Sequence, residues 1–121
     1  MQLLKIYYAY FSPGNTTEKV VSHITSSFQN YPVESINLTD YATRQEDYYF
    51  KENELLIIGV PAYGGRVPAP VVDALRHFTG SNTPVVLVAT YGNRDIDDTL
   101  IELKKNVIDK GFIPVGAASF V

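Results

Sequence analysis

The fold of this chain is decided by residues 3–28, which read LLKIYYAYFSPGNTTEKVVSHITSSF. Residues 3–11 are almost entirely apolar or aromatic, as in a β-strand that is covered on both faces of a parallel sheet. From Glu18 to Phe28, apolar residues recur at the spacing of an amphipathic helix. The polar turn 12–17 separates the two patterns. The stretch therefore predicts a strand, a short turn and a helix, the unit from which α/β proteins are built.

The turn Ser12–Thr17 has the composition of an anion-binding loop. The first backbone N–H groups of a helix lack partners within the helix, and the helix dipole adds positive charge there. Gly14 lets a ligand approach the backbone closely, and the hydroxyl groups of the turn add donors. The turn contains no lysine or arginine, so it does not match a P-loop, and it suits a phosphate monoester held by neutral dipoles. An ordinary helix-capping turn fits the same composition equally well.

Strand and helix patterns alternate along the rest of the chain. The order β-α-β-(α)-β-α-β-α-β predicts one α/β domain, with a doubly wound parallel sheet of five strands in a three-layer αβα sandwich. Residues 39–53 are polar and predict a loop with at most one short helix. The other predicted strands cover 33–38, 55–60, 84–89 and a segment that begins at 112, and the other predicted helices run from about 70 to 80 and from about 96 to 110.

Length, charge and cysteine content exclude several classes of protein. A chain of 121 residues forms one small domain, and a net charge of −3 does not favour nucleic-acid or anionic membrane surfaces as partners. The sequence has no cysteine, which excludes disulfides, thiol catalysis and iron–sulfur or zinc–thiolate sites within this chain. No apolar run is long enough to span a membrane, and the first one is interrupted by Lys5. We therefore expect a cytoplasmic protein.

No helix is predicted after the fifth strand. A doubly wound sheet of this kind normally has a last helix that covers one face. We therefore expect a single domain that is truncated at its C-terminus, or a second copy or neighbouring domain that covers the bare face.

Three predicted loops follow three predicted strands: Ser12–Thr17, Pro61–Pro68 and Thr90–Asp95. Ligands of open α/β sheets bind beyond the carboxyl ends of the strands, so these loops are expected to converge at one edge. The second and third loops each place a tyrosine, Tyr63 or Tyr91, next to glycine. Two tyrosines can enclose a flat ring while the first loop holds a phosphate. A phosphate joined to a flat heteroaromatic ring describes flavin mononucleotide (FMN).

These same residues resemble the flavodoxins, and most of all the flavodoxin-like domain of bacterial proteins that join such a domain to a ferredoxin. The resemblance is carried by YFSPGNT at 10–16, VPAYGGRVPAP at 60–70 and TYGNR at 90–94. It implies the strand order 2-1-3-4-5, bound FMN, and electron transfer or FMN-dependent oxidoreductase activity with a redox partner protein such as a ferredoxin or a reductase. It assigns the phosphate to Ser12, Gly14, Asn15, Thr16 and Thr17, and further cofactor contacts to Pro61, Ala62, Tyr63, Gly64, Gly65, Thr90, Tyr91, Gly92 and Asn93.

The sequence departs from the flavodoxin pattern in three ways. The phosphate loop is shorter by one residue, tryptophan is absent, and the cysteines of a ferredoxin part are absent. The shorter loop leaves an alternative open, a non-catalytic interaction module with a degenerate or empty FMN site. If Arg66 or Arg94 faces the ring, its positive charge would make the flavin less reducing. No catalytic side chain and no metal site is predicted, since His23 and His77 are isolated in the sequence.

Overall fold

The computed structural model describes residues 2–28, 30–91 and 97–120. Strands and helices alternate along the chain, and two very short strands interrupt the expected pattern. In chain order the elements are β1 (Lys5–Tyr10), α1 (Thr16–Thr25), β2 (Val33–Asn37), α2 (Tyr41–Arg44), β3 (Tyr48–Tyr49), β4 (Glu54–Pro61), α3 (Ala69–Leu75), β5 (Phe78–Thr79), β6 (Thr83–Thr90), α4 (Asp97–Asp109) and β7 (Phe112–Phe120).

The main sheet has five strands in the order β2-β1-β4-β6-β7, and every neighbouring pair is parallel. With these five strands numbered among themselves, the order is 2-1-3-4-5, which confirms the expected topology. Strand β4 is central and is buried along its length except at Pro61. Its continuous apolar sequence follows from this position, because both of its faces are covered by helices.

The helices lie on both faces of the sheet, so the expected three layers are confirmed. On one face, Val21 of α1 packs with Leu55 and Ile57 of β4. On the other face, α3 and α4 pack against Leu56 and Ile58. Successive residues of β4 therefore point to opposite layers, as the pleat of a strand requires.

Helix α1 approaches the sheet most closely at Gly59 of β4. A Cβ atom at this position would overlap Cγ2 of Val21 and lie 3.1 Å from Cγ2 of Thr17. Only glycine admits α1 at this depth. The close approach fixes the N-terminus of α1 beside the carboxyl ends of the central strands.

Helix α3 is shorter than the sequence pattern predicts. It ends at Leu75, and Phe78 lies instead in β5, which pairs with β3 in a separate two-stranded sheet. The reason is aromatic packing, since the Phe78 ring lies 5.2 Å from that of Tyr48 and 5.4 Å from that of Phe50. This cluster of residues distant in sequence outweighs the local helical periodicity.

Strand β7 runs for nine residues and has a register irregularity opposite Val85 and Val86. Two of its side chains stay largely in solvent, Ile113 at 49% and Val115 at 60% exposure. None of the helices in the described parts of the chain is long and apolar enough to cross a membrane.

Candidate functional site

A cavity of about 380 Å³ opens at the carboxyl edge of the main sheet. The loops that follow β1, β4 and β6 line it, as expected for a doubly wound sheet. The described residues that line it are all uncharged. They are Ser12, Pro13, Gly14, Thr16, Thr17, Val20, Pro61, Ala62, Tyr63, Thr90, Tyr91 and Phe120.

The turn between β1 and α1 presents backbone N–H groups at the N-terminus of the helix. Ser12 joins the turn to the helix: its hydroxyl oxygen accepts a hydrogen bond from the N–H of Glu18 (2.9 Å), and its carbonyl accepts one from the N–H of Asn15 (3.1 Å). No acceptor among the described residues bonds the N–H groups of Gly14, Thr16 or Thr17. Three donors at a helix N-terminus are therefore available to an anion.

Asn15 gives this turn its shape. Its backbone has φ of 68°, in the left-handed region that asparagine tolerates better than most residues. Asn15 is exposed and does not line the cavity. The asparagine of the turn thus shapes the loop backbone.

A buried pair of hydroxyl groups lies beside the turn. Oγ1 of Thr17 and Oγ1 of Thr90 are 2.6 Å apart, and both residues are at most 5% exposed. The first turn of α1 is thereby joined to the end of β6. Each hydroxyl group has one hydrogen that it can donate, so the pair keeps one donor beyond their mutual bond.

The two glycines of the second loop form a tight turn. Gly64 and Gly65 have φ of 58° and 79°, and the N–H and carbonyl groups of Tyr63 and Arg66 exchange two hydrogen bonds of 3.0 Å. This is a type I′ hairpin, which requires positive φ at both central residues. The turn holds Tyr63 at the rim of the cavity, where its ring is 51% exposed and packs edge-on against Phe11.

The guanidinium group of Arg66 is directed to α4 rather than to the cavity. Its Nε and one Nη donate to the carboxylate of Glu102 at 2.8 and 3.3 Å. The pKa of Glu102 is lowered chiefly by its bond to Arg66, and the N–H of Val67 contributes further. Since this carboxylate balances its charge, the expected effect of Arg66 on a ring in the cavity is weakened. Arg94 lies outside the described residues.

Backbone hydrogen bonds align the ends of three strands along the cavity. The N–H of Ala62 donates to the carbonyl of Thr90 (2.8 Å), and the N–H of Tyr91 donates to the carbonyl of Phe120 (3.0 Å). These bonds continue the ladders of β4, β6 and β7 beyond their last paired residues. One side of the cavity is therefore formed by the aligned ends of these strands.

Of the residues assigned to the cofactor from sequence, nine line this cavity: Ser12, Gly14, Thr16, Thr17, Pro61, Ala62, Tyr63, Thr90 and Tyr91. Three others lie in the adjoining turns without lining it, namely Asn15, Gly64 and Gly65. The remaining two, Gly92 and Asn93, lie outside the described residues.

Three lining residues were not assigned from sequence: Pro13, Val20 and Phe120. Val20 follows the first turn of α1, within the apolar pattern of the helix. Phe120 lies 110 positions after Tyr10, the end of β1. It reaches the cavity because β7 pairs with β6 as far as Thr90. Sequence periodicity alone carries no signal for that register.

No protein-family model matches the chain, and no curated protein matches it in sequence. Its structure is similar to several solved structures. The flavodoxin of Megasphaera elsdenii is 20% identical, with a TM-score of 0.69 over 95% of this chain and 85% of that one. A flavoprotein from Lactobacillus acidophilus NCFM, solved in complex with FMN, is 15% identical, with a TM-score of 0.65 over 96% and 93%.

The Flv1 flavodiiron core from Synechocystis sp. PCC6803 is 16% identical, with a TM-score of 0.66 over 98% of this chain. The chain spans only 31% of the length of that protein. In each case the similarity extends over nearly all of the present chain. The chain therefore has the flavodoxin-like fold.

Proposed function

We propose that the cavity binds FMN and that the protein acts in electron transfer or as an FMN-dependent oxidoreductase. The observation that carries this proposal is the set of three N–H groups, of Gly14, Thr16 and Thr17, in the turn before α1 and its first residues, beside a cavity whose described lining is uncharged. Such donors bind phosphate without a lysine or arginine. The similar structures are flavodoxins and flavoproteins, and one of them was solved with FMN.

The shape and chemistry of the cavity fit this cofactor. Its volume of about 380 Å³ lies within the range of ligand sites, about 300–1,000 Å³. The phosphate would accept hydrogen bonds from the α1 turn, and the Thr16 hydroxyl would donate another. Tyr63 and Tyr91 line the same cavity and would contact the ring. The shorter phosphate loop still supplies enough donors for the three outer oxygens of a phosphate monoester.

The lining residues bind and orient a cofactor rather than carry out acid–base chemistry. The described lining has no carboxylate, imidazole or amine. FMN, when bound, supplies the reversible uptake and release of electrons. Tyr63, half in solvent at the rim, lies where a partner protein would approach. We propose that this partner is a ferredoxin or a reductase and that the reaction takes place in the cytoplasm.

The test compares FMN with riboflavin, which lacks the phosphate. Apoprotein is titrated with each, and the quenching of flavin fluorescence is followed. We expect FMN to bind at least about tenfold more tightly, because only FMN engages the α1 turn. Thr16→Ala should weaken FMN binding and leave riboflavin binding unchanged. Thr79→Ala removes an exposed threonine hydroxyl far from the cavity and serves as the matched control.

Bound FMN that is reduced by dithionite and reoxidised by a ferredoxin or reductase would support the redox role. A protein that retains no FMN after desalting would contradict the proposal. It would favour the alternative of an interaction module with an empty site.

A further inference from the structure

Phe120, the last residue of β7, is one of the three lining residues that neither the sequence pattern nor the resemblance assigns to the cofactor. It is opposite Thr90 in the parallel register of β6 and β7. Residues paired in this way point to the same face of the sheet. Because the Thr90 hydroxyl contacts Thr17 of α1, the Phe120 ring lies on the α1 side.

On that side, the apolar members of the cavity lining include Phe120, Val20 and Pro61, which also pairs with Thr90. The side chain of Phe120 is 38% exposed, and none of the described aromatic rings packs against it. Its main chain is nevertheless held in place, since its carbonyl accepts the hydrogen bond from Tyr91. An aromatic residue with a fixed main chain and no described aromatic partner therefore lines a ligand-sized cavity.

We propose that Phe120 is a flavin-binding residue that forms the apolar wall of the site on the α1 side, opposite Tyr63. Tyr63 packs against Phe11, which belongs to the core on the α3 side. The two aromatic residues thus border the cavity from opposite layers of the fold. The Phe120 ring contacts the uncharged part of the cofactor, while the α1 turn binds the phosphate. This inference rests on the proposed function, because it names a further residue of the same site.

The experiment measures Kd for FMN and for riboflavin on wild-type apoprotein and on three variants. Phe120→Ala should raise both Kd values by about tenfold, because the lost aromatic contact is common to the two flavins. Phe120→Leu keeps apolar volume at the position and should give a smaller increase. Val115→Ala is the control, since Val115 lies on the same strand at 60% exposure and does not line the cavity.

If Phe120 had a structural role, Phe120→Ala would lower the thermal midpoint of the apoprotein, which is measured in parallel. We expect equal midpoints for Phe120→Ala and Val115→Ala. If Phe120→Ala does not fold, the test rests on Phe120→Leu: Kd values for both flavins above those of wild type support the inference, and unchanged values contradict it.

If wild-type protein binds FMN, three results would overturn the inference while the proposed function stands. The Kd values could be unchanged in the Phe120 variants, affinity could fall equally in Val115→Ala, or affinity could fall for FMN and not for riboflavin. A wild-type protein that binds neither flavin overturns the proposed function, and the inference with it.

Discussion

The side-chain oxygens of Thr17 and Thr90 lie 2.6 Å apart, so the first turn of α1 is tied directly to the carboxyl end of β6. Both residues are buried, and 73 positions separate them in sequence. The bond aligns two of the loops that line the cavity. It therefore links the stability of the fold to the geometry of the proposed phosphate site.

Replacing one member of this pair should destabilise the protein more than replacing both. Thr17→Val leaves the Thr90 hydroxyl buried without its partner, at a cost of about 1–3 kcal/mol. In the double variant Thr17→Val/Thr90→Val no hydroxyl is left unpaired, and part of that stability should return. Urea unfolding followed by circular dichroism measures the free energies of unfolding of wild type, Thr17→Val, Thr90→Val and the double variant. Additive losses would show that the two hydroxyl groups do not interact.

Gly59→Ala should be strongly destabilising, because its new methyl group would overlap Cγ2 of Val21. Overpacking of this kind costs about 1–3 kcal/mol, and α1 must shift away from β4 to relieve it. Val21→Ala alone also destabilises, through the cavity it leaves. In the double variant the space left by the removed Cγ2 of Val21 should accept the new methyl group, so that its loss of stability is smaller than the sum of the single losses. A loss of stability in the double variant equal to the sum of the two single losses would contradict the observed packing.

Gly64→Ala should lower the stability of the fold, whereas Gly14→Ala should weaken FMN binding without lowering stability. Alanine at Gly64 must adopt the left-handed φ of 58°, which costs about 1–2 kcal/mol. Gly14 has no positive φ, and an added Cβ meets no atom within 4 Å, so Gly14→Ala should leave the urea midpoint nearly unchanged.

The same Gly14→Ala variant should weaken FMN binding relative to riboflavin, because its methyl group lies where the backbone would approach the phosphate. Isothermal titration with both flavins measures this difference. Undiminished FMN binding would place the phosphate away from Gly14.

The Arg66–Glu102 ion pair should make a small pH-dependent contribution to stability. Because the folded-state pKa of Glu102 lies below its usual value of 4.5, the contribution is present above that pH. It is lost as the pH falls from about 4.5 through the lowered folded-state pKa. Glu102→Gln should therefore remove part of the acid sensitivity of the urea midpoint. The effect is small, since the Arg66 side chain is 72% exposed and salt screens the pair.

The matched variant Arg66→Ala tests whether this arginine tunes the flavin. Because Glu102 already balances its charge and Arg66 does not line the cavity, the reduction potentials of bound FMN should change little. Spectroelectrochemical titration of wild type and variant measures the potentials. A marked fall in potential would show that the guanidinium group acts on the ring from outside the lining.

Local patterns were sufficient to predict the main architecture. The apolar runs that became β1, β4 and β6 and the amphipathic stripe of α1 each reflect burial within one element, which periodicity records directly. The turn 12–17 likewise carries its own chemistry, because helix N-termini present free N–H groups wherever they occur. The strand order came from the resemblance to flavodoxins, and the structure confirms it.

The features that the sequence misassigned or left open involve contacts between distant parts of the chain. Phe78 continues a helical pattern in sequence, and only its packing on Tyr48 and Phe50 places it in β5. Arg66 follows a predicted ring-binding turn, yet its side chain pairs with Glu102, 36 positions away. Neither partner can be identified from spacing, because each contact depends on how separate elements pack.

The sequence by itself thus determined the alternation of strands and helices, the uncharged turn before α1 and the loops that meet at one sheet edge. Tertiary structure alone decided which contacts complete the cavity. Thr90 meets Thr17, and Phe120 reaches the same space, because the sheet brings together strand ends that are far apart in the chain. Local periodicity reports whether a residue is buried, whereas the register and packing of whole elements determine which residue it touches.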